Sequence, residues 1–145
     1  MFGSLWTKKK PFPSPQHSPS QKNDVFLLQI KKIVEDEELK EELIHELLSK
    51  HSHQSRKIHF LSAMEDMKKT YTEHEKLKKA EKIVSVFLQR SSPVRLSAVA
   101  EKVDLELKQT NKFVKLNFAR KMILQELRSD SEICEFISRH NVQCD

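Results

Sequence analysis

Four histidines, His45, His51, His53 and His59, fall within fifteen residues of one another, and imidazole is the commonest protein ligand for a metal ion. Their spacing argues against a metal site. His51 and His53 stand two apart and would not share a helix face, no cysteine lies near, and Ser, Gln, Arg and Lys fill the gaps. These are expected to be polar loop histidines, with no metal bound. Cys134 could pair with a histidine as a nucleophile, but it sits between Ile133 and Phe136 in an apolar pattern, which suits a structural thiol. The only glycine is Gly3, so no glycine-rich phosphate loop can form. There is also no Gly-x-Ser-x-Gly elbow, no His-Glu-x-x-His helix and no zinc-type cysteine pair. The acidic residues follow solvated faces, and none stands out as a general base. The chain is expected to have no catalytic centre of its own and no cofactor.

The remaining concentration of chemistry is cationic. Lys68, Lys69, Lys76, Lys78, Lys79 and Lys82 form a basic stretch that could meet phosphate. Tyr71 is its only aromatic residue, and Glu73, Glu75 and Glu81 lie among the lysines, as on a solvated face with charge pairs one helical turn apart. The net charge of +5 is unevenly spread. Residues 1–23 carry four positive charges and no negative one, residues 24–48 three against eight, residues 49–92 ten against five, and residues 93–145 nine against eight. The basic character belongs to the N-terminal tail and one central stretch. That distribution argues against a dedicated nucleic-acid binder.

These residues must be positioned by a single core, since 145 residues leave room for one domain once a polar tail is set aside. Four of the five prolines lie in residues 1–23 with Ser and Gln between them. Such a segment buries too little apolar area to offset its ordering entropy and is expected to be a disordered basic arm. Ser14-Pro15, Ser18-Pro19 and the triplet Lys8-Lys9-Lys10 are read as parts of a solvated linker. The longest apolar run is Val25-Phe26-Leu27-Leu28, too short to span a membrane. Cys134 and Cys144 form no framework, and no secretory signal or prenylation box is recognised. A reducing, cytoplasmic setting is expected, with membrane contact at most peripheral, through the basic tail.

From Asp24 to about residue 140 apolar residues recur at helical spacing, and strand-like alternation is nowhere sustained. The expected fold is all-α: a compact bundle of seven short helices, followed by a C-terminal tail at residues 141–145. Asp24 would cap a first helix with Phe26, Ile30 and Ile33 on its stripe. The acidic run Glu35 to Glu38 opens a second, carrying Leu39, Leu43, Ile44, Leu47 and Leu48. A third shows Phe60, Met64, Met67 and Tyr71. After a break at Thr70 to His74, a fourth carries Leu77, Ala80, Ile83, Val84, Phe87 and Leu88, ending before Pro93. Leu96 to Leu107, Asn111 to Leu127, and Ile133 to Ile137 supply the rest. No heptad persists for three or four repeats, so a globular bundle fits better than a coiled coil.

The segment Ile58-His59-Phe60-Leu61-Ser62-Ala63-Met64-Glu65-Asp66-Met67-Lys68-Lys69, followed by Leu77 to Leu88 with its Ala-x-x-Ile-x-x-x-Phe pattern, resembles the centre of a regulator of G-protein signalling (RGS) domain. Ser92-Pro93-Val94-Arg95-Leu96 is similar to that family's loop after this helix, and Leu127 to Ile137 to its closing helices. The resemblance spans roughly residues 25 to 140. It implies an RGS-like fold and binding to the GTP-loaded α subunit of heterotrimeric G proteins, whose switch regions such domains hold so that GTP is hydrolysed faster. The domain itself supplies contacts and no chemical group. The expected partner-binding residues are Arg56, Lys57, Arg95, Asp130, Ser131 and Glu135. Arg56-Lys57 stands where the family has Glu-Asn, Arg95 where it has Asn, and Glu135 where it has Arg, while Asp130-Ser131 matches its Asp-Ser. Two amides are thus replaced by cations and one charge is reversed, which counts against GTPase acceleration. Two other readings stay open: a scaffold module of the same fold that does not accelerate hydrolysis, and a basic helical domain binding nucleic acid or an acidic membrane.

Overall fold

A computed structural model describes residues 17–107, 111–140 and 142, with side chains from residue 25 onward. Seven α-helices and no strand occur among the described residues: α1 (His17–Glu35), α2 (Glu37–Ser49), α3 (Gln54–Lys68), α4 (Glu73–Phe87), α5 (Ser97–Glu106), α6 (Lys112–Arg128) and α7 (Ser131–Arg139). The first helix begins at His17 and runs through Asp24, so the cap expected there is not its start. The basic tail lies outside the described residues up to Gln16.

Capping chemistry sets most of the other boundaries. The Asp36 carboxylate accepts from the N–H groups of Glu38 and Leu39 at 3.0 and 3.2 Å, so one residue suffices to end α1 and start α2. Thr72 accepts from the Glu75 N–H at 3.1 Å at the head of α4, Asn111 from the Val114 N–H at 3.1 Å at the head of α6, and Asp130 from Glu132 and Ile133 at the head of α7. At the end of α2, His51 takes φ 58°. Its N–H donates to Leu48 O and that of Ser52 to Leu47 O, closing a Schellman turn in which a histidine occupies the left-handed position that glycine usually fills.

Helix α3 is central, meeting α1, α2, α4 and α6. It therefore buries more than one face: Ile58, Phe60, Leu61, Met64 and Met67 all enter the core. Phe60 meets Phe87 of α4 edge to face, with ring centroids 5.4 Å apart. Helices α5 and α6 pack together, and α7 closes against α2 and α6. Val142, placed by sequence with the C-terminal tail, is buried; its carbonyl accepts from Gln29 of α1 at 3.2 Å.

Some apolar residues leave the stripes expected of them. Leu48 and Leu77 are exposed, and Tyr71 is 100% exposed, because α3 has ended at Lys68 and the tyrosine falls in the turn that follows. Cys134 is exposed as well. The buried face of α7 is Ile133, Phe136 and Ile137, and one step of about 100° from Ile133 turns the thiol to the surface, where Sγ contacts Arg128 O at 3.4 Å.

Candidate functional site

The first turn of α3, the loop entering α5 and the last turn of α6 converge on one cavity of about 240 Å³, lined by His53, Arg56, Lys57, Arg95 and Glu126 together with Leu96 to Val99. Three of the expected partner-binding residues, Arg56, Lys57 and Arg95, are thus brought together. They are not equivalent. The ammonium of Lys57 lies 2.6 Å from a carboxylate oxygen of Glu126, and its side chain is 19% exposed. Arg95, with its side chain 13% exposed, stands 4.0 Å from Asp104 and donates through Nε to Leu88 O at 3.3 Å. Leu88 is the last residue of α4's cap, so this guanidinium satisfies a carbonyl orphaned at a helix C-terminus, where the dipole favours a cation. Arg56 is exposed and makes no ion pair among the described residues.

The loop carrying Arg95 is itself fixed. The Leu96 N–H donates to Phe87 O at 2.8 Å, the Ser92 hydroxyl donates to Val86 O, and Leu96 is buried. At the other edge of the face, Gln54, the first residue of α3, donates its carboxamide N–H to the second oxygen of Asp130 at 2.8 Å. Asp130 is therefore joined to the start of the helix bearing Arg56 and Lys57, and Ser131 follows it, exposed. Glu135 is exposed one turn further along α7 and acts on Arg139, whose guanidinium is held above its ordinary value first by its hydrogen bond to Glu46 and also by the charge of Glu135. The same contact from Arg139 holds the Glu46 carboxyl below its usual 4.5. Glu135 does not line the cavity.

Sequence reasoning missed Gln54 and Glu126. Each is a polar residue of an amphipathic helix with no local signal, and each acquires its partner only when distant helices meet. The central lysines are largely answered by carboxylates: Lys68 by Glu65, Lys69 by Glu35, Lys76 by Glu73 and Lys79 by Asp66, at 3.5, 3.4, 3.9 and 2.9 Å. Among the described residues no three His, Cys, Asp or Glu side chains converge as metal ligands, and no helix is long and apolar enough to cross a membrane.

The cavity at the junction of α3, α5 and α6 thus sets three cationic side chains and Glu126 around the apolar Leu96, Ala98 and Val99. The model of the regulator of G protein signaling domain matches residues 29–138, and the chain belongs to that family. No curated protein and no solved structure matches it.

Proposed function

We propose that the chain binds the GTP-loaded α subunit of heterotrimeric G proteins through the face formed by Arg56, Lys57, Arg95, Asp130 and Ser131, and that it regulates signalling by occupancy, without accelerating GTP hydrolysis. Family membership supports the binding. The observation that carries the second half is that Lys57 and Arg95 are held in contacts within the chain, on Glu126 and on Leu88 O. Acceleration requires preorganised polar groups that hold the switch residues in their transition-state arrangement. An ammonium or guanidinium has no acceptor, so it cannot accept from a switch hydroxyl or amide as an asparagine carbonyl would. The pairing of the central lysines with carboxylates weighs against the nucleic-acid and membrane readings.

The test combines capture of purified α subunits in their aluminium-fluoride-bound form with single-turnover GTP hydrolysis by the same subunits. Capture with an unchanged hydrolysis rate is expected. Acceleration would overturn the claim of occupancy alone, and failure of every α subunit to be captured would overturn the partner.

A further inference from the structure

Beside the face just described, a second and larger cavity of about 560 Å³ runs between α3 and α4. The two helices are antiparallel: Phe60 near the middle of α3 meets Phe87 at the end of α4, and Asp66 further along α3 meets Lys79 near the middle of α4. The buried Ile83 and Phe87 form its floor, and Val86 and Val94 add to its apolar lining. Val86 is only half-buried and Val94 is exposed, so apolar surface remains in contact with water. Along the rim stand Arg56, His59, Lys79 and Lys82. Asp66, also on the rim, answers Lys79 at 2.9 Å. Arg56 and Lys82 make no ion pair among the described residues.

An open, apolar-floored groove between antiparallel helices matches the shape that receives an amphipathic helix, whose anchors recur one turn apart. The unanswered cations on its rim select for carboxylates flanking those anchors. The chain's own tail is excluded by charge, since residues 1–23 carry four cations and no anion. A flat anionic membrane would meet the lysines but leave the recessed floor uncovered. We infer that this groove docks an acidic amphipathic helical segment of a partner protein, with apolar side chains on Ile83, Val86 and Val94 and carboxylates towards Arg56 and Lys82. The site adjoins the α-subunit face, with Arg56 the one expected contact residue common to both cavities. The test therefore leaves Arg56 untouched.

The experiment is an unbiased display selection of short random peptides on the full chain. Synthetic copies of the enriched sequences are then titrated against the wild type, Lys82→Glu and Val94→Asp. Both changed residues are exposed, and unaltered thermal melting will show that the variants are folded. Enriched sequences are expected to be net acidic, with large apolar residues one helical turn apart, to shift backbone amide resonances of α3 and α4, and to bind each variant about tenfold more weakly. Enrichment of neutral or basic sequences, enrichment of none, or binding indifferent to both substitutions would overturn the proposal. So would phosphatidylserine vesicles, or a second copy of the chain in sedimentation, occupying the groove in place of the peptides.

Discussion

Arg95 illustrates how a single residue can belong to the scaffold while standing where a partner contact is expected. Its guanidinium reaches back to Leu88 O and holds the loop between α4 and α5 against the end of α4. Arg95→Ala should lower stability by about 1–2 kcal/mol, the usual range for losing a charged donor to a part-buried carbonyl. Arg95→Lys should recover little of it, because an ammonium lacks the planar fork that spans Leu88 O and Asp104. Denaturant midpoints of the two variants check this. The identity of Arg95 was legible in the sequence, as was its place in the loop after the helix ending at Leu88. Its employment was not, since nothing local indicates which carbonyl a long side chain will find. Cys134 shows the converse. An apolar neighbourhood in sequence suggested burial, and the helical step from Ile133 turned the thiol outward.

At the level of the helices, periodicity disclosed nearly all of the architecture. Each of the seven helices was visible as a recurring apolar set, and Thr72, Asn111 and Asp130 lie where capping residues stop one element and begin the next. What periodicity could not disclose is how much of each helix is covered. Helix α3 meets four others and buries residues on several sides, whereas α4 leaves Leu77 in solvent although it falls on the same stripe as Ala80 and Ile83. The turn after α2 carries a testable cost. His51 sits in the left-handed region, where a Cβ atom is crowded by about 1–2 kcal/mol. His51→Gly should therefore raise stability by about 1 kcal/mol, less the entropy that glycine gains in the unfolded chain. The denaturant midpoint should rise with an unchanged slope.

Across the whole molecule, α7 is fastened to α2 through Arg139 and Glu46, far apart in sequence. Glu46 has its carboxyl pKa lowered by that hydrogen bond. Its contribution is therefore present above the ordinary value of 4.5 and lost as pH falls through the lower, folded one. Arg139 is half exposed and Glu46 part-buried at the surface, so the effect is small and screened by salt. Glu46→Gln should be slightly less stable than the wild type at neutral pH, and the two should converge in acid below pH 4.5. Urea titrations across that interval at low ionic strength check the sign. The sequence revealed neither partner, because the pairing exists only once the helices have docked.

The carboxylate of Asp130 has one further consequence. One of its oxygens holds the two N–H groups that open α7, and the other holds Gln54 at the start of α3. A side chain gripped by three donors has lost its rotational freedom before any visitor reaches it. A partner that used Asp130 as an acceptor would meet a group already aimed, so the entropy of fixing it would be spent in folding and would not weaken the association.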